Sequence, residues 1–177
     1  MNRIETFNKI KQAYKEHDDN LLRNGRLPMR STEKGFWGTT NLDDLYAWLE
    51  RMDFPQRTRF LDLGSGDGRV VLVAALFVDA MGIEDDNKLL EHGRKVAELL
   101  ELDYPVEQGD YNNQDLTRYD VLFMYPDQRF DALKDKLLRE LRGTLYLYHD
   151  TYHPYFLVKG PTTWIGQIPF FTYSNHS

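Results

Sequence analysis

The sequence predicts an α/β fold with a doubly wound, mostly parallel sheet and a C-terminal antiparallel hairpin strand. Short apolar runs alternate with amphipathic stretches at helical spacing between residues 59 and 149. A glycine-rich turn follows the first of these runs. Residues 155–173 carry aromatic and β-branched runs interrupted by Gly160-Pro161 and Gly166, a pattern typical of a hairpin.

Spacing and capping residues place the individual elements of this fold. Asn41 is expected to cap a helix that begins at Leu42 and ends before Pro55, and residues 26–40 are expected to be turns. The later helices are predicted over residues 70–78, 87–102 and 129–142, the last with Leu133, Leu137, Leu138 and Leu141 facing inward. The strands are predicted over residues 59–63, 80–84, 105–110, 119–125 and 144–149.

Composition limits the classes of function. The chain has 177 residues, of which 41% are hydrophobic, and this suits a single domain over residues 1–177. It has no cysteine, which excludes disulfides, thiolate zinc sites and cysteine nucleophiles, and we predict no metal site. No apolar run reaches the roughly 18 residues of a membrane span, and the N-terminus lacks the apolar region of a signal peptide. We therefore expect a cytoplasmic protein with no membrane partner.

Charge is distributed unevenly along the chain. The net charge is -6 and the pI about 5.4, which argues against a general electrostatic nucleic-acid binder. Residues 1–34 form a predicted N-terminal helical arm with eight basic and five acidic residues, so the remainder carries about -9. The helix is predicted over residues 3–23 on the spacing of Ile4, Phe7, Ile10, Tyr14 and Leu21. The arm either packs on the domain or docks a substrate.

The glycine turn itself separates three classes of ligand. Gly64, Gly66 and Gly68 stand at alternate positions, and the residues after Gly68 are not the Lys-Ser/Thr of a phosphate-binding P-loop. The dinucleotide fingerprint G-x-G-x-x-G also fails, because the third glycine comes one residue early. Asp62 and Asp67 would repel a pyrophosphate and attract a cation. The turn therefore favours a cationic ligand without phosphate.

The run LDLGSGDGR at residues 61–69 resembles motif I of class I S-adenosylmethionine-dependent methyltransferases, which have a Rossmann-like fold. The resemblance covers roughly residues 36–173 and implies S-adenosylmethionine as the cofactor, a molecule with a sulfonium and an ammonium group and no phosphate. The motif residues implied to contact it are Asp62, Gly64, Ser65, Gly66 and Gly68.

Acidic residues also follow the next predicted strands, where an open parallel sheet binds its ligands. The resemblance assigns Glu84, after the second strand, to the ribose hydroxyls, and we expect its carboxylate to accept a hydrogen bond from both of them. Asp110, after the third strand, is assigned to the adenine amino group, and Tyr111 is expected to cover the ring.

The methyl acceptor is less well defined by the sequence. Nucleic-acid amino-methyltransferases usually carry (D/N/S)-P-P-(Y/F) after the fourth strand, whereas residues 124–127 read Met-Tyr-Pro-Asp. The compact layout, the aromatic-Gly-Thr-Thr loop and the strand ending in His-Asp are similar to small archaeal protein-lysine methyltransferases. This second resemblance implies N-methylation of protein lysine, with Tyr125 and Trp37 as the catalytic residues.

Several assignments stay open at this stage. An aromatic channel would disfavour a charged lysine, and its candidate lining is Trp37, Tyr125, Tyr148, Tyr152 and Phe156. His149 is either a proton acceptor or a residue without a catalytic role. The partner is a protein or small-molecule methyl acceptor. The alternatives are a small-molecule or RNA methyltransferase, and a module that binds S-adenosylmethionine without catalysis.

Overall fold

The computed structural model of the chain describes residues 2–31 and 36–175, with only the backbone described for residues 30, 31, 36 and 37. The helices are α1 (Arg3–Arg23), α2 (Leu42–Met52), α3 (Arg69–Ala74), α4 (Asn87–Leu99) and α5 (Lys134–Glu140). The strands are β1 (Met29–Ser31), β2 (Phe36–Gly38), β3 (Arg59–Leu63), β4 (Asp79–Glu84), β5 (Val106–Gln108), β6 (Val121–Met124), β7 (Thr144–Tyr148), β8 (Val158–Lys159), β9 (Thr163–Ile165) and β10 (Ile168–Ser174).

The main sheet has the order β5-β4-β3-β6-β7-β10-β8, with β9 paired to β10. Strands β3 to β7 are parallel, and β10 runs antiparallel to β7, β8 and β9. The chain starts this sheet at β3, builds outward to β5, and then returns to β6 on the other side of β3. This reversal makes the carboxyl end of β3 a topological switch point, where open α/β sheets bind ligands. The predicted doubly wound sheet with a C-terminal antiparallel strand is confirmed.

Two apolar cores cover the two faces of the sheet, as a doubly wound fold requires. In one core, the four helices α1, α2, α3 and α4 pack against alternate residues of the strands. These strand residues include Phe60 and Phe123, which are 0% and 1% exposed. Trp48 of α2 is fully buried there and stacks on Phe170 of β10 with ring centroids 4.8 Å apart. In the other core, α5 packs against the strand residues that point to the opposite face of the sheet, including Leu61.

Local chemistry explains where the first two helices begin and end. The helix over residues 3–23 is confirmed, with Phe7, Ile10 and Tyr14 buried, but Ile4 of the predicted apolar stripe is 42% exposed. Asn41 caps α2, because its side chain accepts hydrogen bonds from the N–H groups of Asp43 and Asp44 in the first turn. This cap agrees with the sequence prediction.

Three predicted helices are shorter than expected. The apolar run over residues 70–78 forms a helix only to Ala74, after which tight i to i+3 bonds turn the chain toward β4. The helix predicted to residue 102 ends at Leu99, and Glu101 follows in the left-handed region with φ 53°. The helix predicted over residues 129–142 is a 3₁₀ turn followed by α5, and its Leu138 is 45% exposed rather than inward-facing.

Residues 26–40 differ from the prediction of turns. Strands β1 and β2 within this segment form a separate antiparallel ribbon, in which Met29 pairs with Gly38 and Ser31 with Phe36. Strands of three residues are too short to show the alternating pattern that identifies a strand, so no local signal indicated them.

Among the helices in the described part of the chain, none is both long and apolar enough to cross a lipid bilayer.

Candidate functional site

The glycine turn between β3 and α3 lies at the switch point of the sheet. Gly64, Gly66 and Gly68 all adopt positive φ angles, of 75°, 57° and 73°. Glycine is required at these positions because a Cβ atom would strain this backbone conformation. The N–H groups of Gly64 and Ser65 both donate to the carbonyl of Ile83 on β4, at 3.0 and 2.9 Å. The turn is thus fastened to the neighbouring strand.

The other side of the turn is packed closely against α4 and the segment before β5. A Cβ at Gly68 would come within 2.6 Å of the ring of Tyr104. A Cβ at Gly93 of α4 would clash with the carbonyl oxygen of Asp67. The helix can therefore approach the turn this closely only because Gly93 has no side chain.

Helix α1 provides a further set of contacts to the turn. The Arg69 guanidinium binds the Asp67 carboxylate at 2.7 Å and the Asp18 carboxylate of α1 through two hydrogen bonds of 3.0 Å. The hydroxyl of Tyr14, also on α1, donates to the Asp67 carbonyl at 2.7 Å. Arg69 is 5% exposed and Asp67 is fully buried. This network was not predicted, because its partners on α1 are far from the turn in sequence.

The role predicted for Asp67 is therefore wrong. The sequence prediction has its carboxylate attract a cationic ligand beside Asp62. Its charge is instead balanced inside the protein by Arg69, whose Nε and Nη2 atoms both donate hydrogen bonds to the Asp67 carboxylate. A carboxylate paired in this way with a buried guanidinium is no longer a strong cation site.

Glu84 lies at the end of β4, directly beside the turn. One carboxylate oxygen accepts the Gly66 N–H at 2.8 Å, and the other accepts the N–H groups of Asp85 and Asp86 at 3.0 and 2.9 Å. Burial raises the pKa of Glu84 to about 7. An ionised carboxylate offers about four lone-pair sites, and three are used here. The expectation that Glu84 accepts both ribose hydroxyls would therefore require one of these bonds, such as that to Gly66, to open.

Asp62 lies within β3 and is 4% exposed. Its pKa is raised well above the usual range, first by burial and then by the negative charges of Glu84 and Asp67. Two buried carboxylates so close to each other disfavour their joint ionisation, so the Asp62–Glu84 pair retains a proton at a higher pH than isolated carboxyl groups would.

Asp110 and Tyr111 follow β5, the strand next to β4 in the sheet. The Asp110 carboxylate caps a short 3₁₀ helix by accepting the N–H of Asn112 at 2.8 Å. The Tyr111 ring is the nearest group to Gly64, 3.9 Å from where a Cβ would stand. Its hydroxyl accepts a hydrogen bond of 2.8 Å from Gln128, which follows β6. Both predicted residues thus lie at the same edge of the sheet as the glycine turn.

A cleft at this edge brings several of the predicted residues together. It is lined by Gly38, Thr40, Asp62, Gly64, Ser65, Asp67, Arg69, Val70, Phe123 and Tyr125. Tyr125 stands just after β6, half-buried, so the tyrosine and the glycine turn face one cavity. The side chain of Trp37, the other predicted catalytic residue, lies outside the described part of the structure.

A second group of rings stands at the ends of β6 and β7. The centroid of the Tyr125 ring is 6.0 Å from that of Tyr148 and 6.1 Å from that of His149. His149 has a φ of 81°, which is strained for a residue with a Cβ. The Tyr148 hydroxyl accepts the Asn41 N–H at 3.3 Å and so ties the segment before α2 to β7.

The predicted aromatic channel also includes Phe156, Tyr152 and Tyr148, which have different surroundings. Phe156 packs against the core that contains α5, and its assignment to the channel stays a prediction. Tyr152 is 39% exposed. Tyr148 is 4% exposed and packs on Phe170, which gives it a structural role as well. Among residues 2–31 and 36–175, no group of three or more His, Asp or Glu side chains is arranged to hold a metal ion.

A stacked histidine pair beside the Arg69 network makes a pH dependence of stability testable. The rings of His17 and His92 are 3.4 Å apart. Burial lowers the pKa of His92 to about 4 and also lowers that of His17; Asp18 and Asp67 oppose the shift and Arg69 adds to it. A lowered folded-state pKa means that stability is present above the unfolded value of about 6.5 and is lost as pH falls toward 4.

We therefore expect the histidine stack to contribute less to the free energy of unfolding in urea at about pH 5 than at about pH 7.5, since the unfolded chain binds protons that the stack excludes, whereas the raised pKa values of Asp62 and Glu84 act in the opposite direction. His92→Phe keeps an aromatic ring and removes the titrating group, so it should reduce this difference. An equal pH dependence in wild type and variant would contradict this origin.

Several solved structures share this fold. The chain is 24% identical to an RNA methyltransferase from Salinibacter ruber, solved in complex with S-adenosyl-L-homocysteine, over 77% of this chain and 92% of that one, with a TM-score of 0.64. It is 24% identical to a hypothetical protein of Thermus thermophilus, over 76% and 86% of the two chains, with a TM-score of 0.59. It is 13% identical to MtNAS in complex with MTA and tNA, over 77% and 61%, with a TM-score of 0.60.

The chain has the Rossmann-like fold of these solved structures. At these identities the similarity shows the fold and leaves the activity to be argued from the site. No protein-family model matches the sequence, and no curated protein matches it either.

Proposed function

We propose that the protein is an S-adenosylmethionine-dependent methyltransferase that methylates the amino group of a protein lysine. The observation that carries the cofactor assignment is the turn of three positive-φ glycines at the switch point, with the Glu84 carboxylate bonded to its central N–H. The fold supports the assignment, since the Salinibacter ruber enzyme of the same fold was solved with S-adenosyl-L-homocysteine.

The chemistry of the site fits this cofactor. The glycines let a ligand approach the backbone without a Cβ in the way, and the neighbouring Asp62–Glu84 pair, when ionised, suits a cationic ligand without phosphate. In this proposal Glu84 holds the ribose, and Asp110 and Tyr111 hold the adenine. The amino-acid end is held by Asp62, Gly64, Ser65, Gly66 and Gly68. Asp110 and Tyr111 are at the right edge of the sheet for this role.

S-adenosylmethionine, when bound, supplies an electrophilic methyl group on a sulfonium. The chain's own residues must align a neutral amine with that group, and such alignment accounts for a large part of catalysis. Tyr125 is placed for this task because it lines the cleft beside Gly64. An aromatic, partly dry surrounding also lowers the pKa of a lysine and so favours its neutral, nucleophilic form. Trp37 is proposed as a second such residue.

Acidic residues near the cleft favour a cationic methyl acceptor. Asp44 stands in the first turn of α2, near enough to His149 for the two to interact electrostatically, whereas the neighbouring Asp43 is paired with Lys11. Asp127 and Asp150 follow the ends of β6 and β7. Negative charge around a cleft attracts and orients a positively charged partner. A lysine-bearing protein segment meets this description better than a phosphate backbone does.

One observation makes RNA the second candidate methyl acceptor. The Salinibacter ruber RNA methyltransferase is covered over 92% of its length, so this chain has the equivalent of almost that whole protein. The basic residues of α1 would be the natural contacts to phosphate, although Lys11 and Lys15 are already paired with Asp43 and Asp19.

Incubation of the protein with tritiated S-adenosylmethionine and cell extract tests the proposal. We expect label in material that protease removes and ribonuclease does not, with methyl groups on lysine by mass spectrometry. Label that ribonuclease removes would replace the lysine assignment with the RNA one. Binding of S-adenosylhomocysteine without transfer to any fraction would indicate a non-catalytic module, and absence of binding would refute the cofactor assignment.

A further inference from the structure

Helix α1 contacts the glycine turn at the positions that follow its last two glycines. The Tyr14 hydroxyl reaches the Asp67 carbonyl at 2.7 Å, and the Asp18 carboxylate binds Arg69 through two bonds of 3.0 Å. The Arg69 guanidinium also lies over the Tyr14 ring, 4.7 Å from its centroid. The side chains of Arg69 and Asp18 are 6% and 21% exposed, so these bonds are made largely out of water.

These contacts complete the restraints on the turn. Strand β4 holds it through the Ile83 carbonyl and the Glu84 carboxylate. Tyr104 packs over Gly68, and Gly93 of α4 lies against the Asp67 carbonyl. Helix α1 holds the same carbonyl and, through Arg69, the same aspartate side chain. The turn is therefore held by β4, α4, α1 and the loop before β5, and α1 belongs to the segment that precedes the ribbon β1–β2.

The turn needs such restraints because of its own composition. Three glycines within five residues have far more accessible conformations when free than other residues do, and each must be held at positive φ. A ligand that binds the backbone of this turn must order it if it is not already ordered, and the ordering reduces affinity. Whatever holds the turn in place beforehand therefore strengthens binding.

We infer that α1 is a working part of the cofactor site and that Asp18 and Tyr14 are positioning residues for cofactor binding. They act through Arg69 and the Asp67 backbone and touch no ligand themselves. The inference rests on the proposed function, because it takes S-adenosylmethionine as the ligand of the turn. It also gives the N-terminal helix a purpose other than docking a substrate.

The test compares two kinds of variant in α1. Asp18→Ala and Tyr14→Phe remove the contacts to the turn. Phe7→Leu is the matched control, because Phe7 is 4% exposed and packs on Tyr46 of α2, away from the turn. All variants are assayed well below their melting temperatures, with S-adenosylhomocysteine as the titrant in calorimetry. Hydrogen exchange of the amides of residues 64–69 is measured in parallel without ligand.

We expect Asp18→Ala and Tyr14→Phe each to weaken S-adenosylhomocysteine binding, Asp18→Ala by about tenfold, and to speed exchange of the turn amides. Phe7→Leu should lower the melting temperature and change neither quantity. The inference is overturned if the affinity of Asp18→Ala equals that of wild type, or if affinity follows melting temperature across all three variants.

Failure of the proposed function has a different signature. If the wild-type protein does not bind S-adenosylhomocysteine, the cofactor assignment is refuted. The exchange measurement then decides whether α1 holds the turn: unchanged exchange in Asp18→Ala and Tyr14→Phe would refute that as well.

Discussion

Replacing Arg69 with methionine is expected to lower the free energy of unfolding by about 3–5 kcal/mol, because it leaves a buried carboxylate without its counter-charge. Asp67 is fully buried, and Arg69 is the cation that the described structure places against its carboxylate. In a protein of this size the melting temperature should fall by roughly 10 °C. Differential scanning calorimetry of the two proteins measures this directly.

Arg59→Met is a suitable control for the Arg69→Met variant, because it also replaces an arginine with methionine. Arg59 is paired with Asp120 at 3.8 Å, and both side chains are more than half exposed. An exposed pair of this kind contributes at most about 1 kcal/mol. The double variant Asp67→Asn/Arg69→Met should recover part of the stability, since the unpaired charge is removed with its partner. Equal losses for the Arg69 and Arg59 variants would show that the buried network contributes little.

Replacing Glu84 with glutamine is expected to weaken S-adenosylhomocysteine binding by about 1.5–3 kcal/mol, or roughly 10- to 150-fold, because a charge-assisted hydrogen bond to the ribose is lost. The amide keeps the size of the side chain, and its oxygen can still accept the N–H groups of Asp85 and Asp86, but its nitrogen cannot accept that of Gly66. Hydrogen exchange of the amides of residues 64–69 therefore checks that the turn keeps its structure in the variant. Glu107→Gln removes an equal charge from the exposed neighbouring strand β5 and should leave affinity unchanged. Calorimetric titration of the three proteins gives the comparison, and an unchanged affinity in Glu84→Gln would remove this residue from the site.

The affinity for S-adenosylhomocysteine is also expected to depend on pH. The pKa of Glu84 is raised to about 7 by burial, so its ionised form, the better acceptor, increases as pH rises through 7. Affinity should therefore rise between about pH 6 and pH 8 in the wild type and stay level in Glu84→Gln. The contribution of this group to stability without ligand has the opposite slope, because a raised folded-state pKa favours the folded protein at low pH. A level wild-type affinity would contradict the assignment.

The parts of this fold that sequence analysis predicted correctly depend on short stretches of chain. The cap at Asn41 needs only the N–H groups of Asp43 and Asp44, close by in the chain. The turn from Gly64 to Gly68 is recognisable because glycine spacing and conformation are linked at each position. The parallel sheet follows from the alternation of strands and helices along the chain. These features can therefore be inferred without knowing which distant residues meet.

The parts that were missed depend on contacts between distant segments. Asp18 and Arg69 are 51 residues apart, and nothing in the local sequence of either pairs it with the other. The expectation for Glu84 did not include the backbone N–H groups that already donate to its carboxylate oxygens. The sequence shows that an acidic residue is present, but it does not show which N–H groups lie beside it.

The position of β10 has a consequence for the order in which the protein can fold during synthesis. It lies inside the sheet, between β7 and β8, although it is the last strand of the described chain to be made. Until residues 168–174 emerge from the ribosome, β7 has an unpaired edge, β8 has no partner in the main sheet, and Trp48 lacks the ring of Phe170 against which it stacks. Unpaired edges and exposed aromatic surface favour aggregation. We therefore expect the chain to be most prone to aggregation before residues 168–174 have been made.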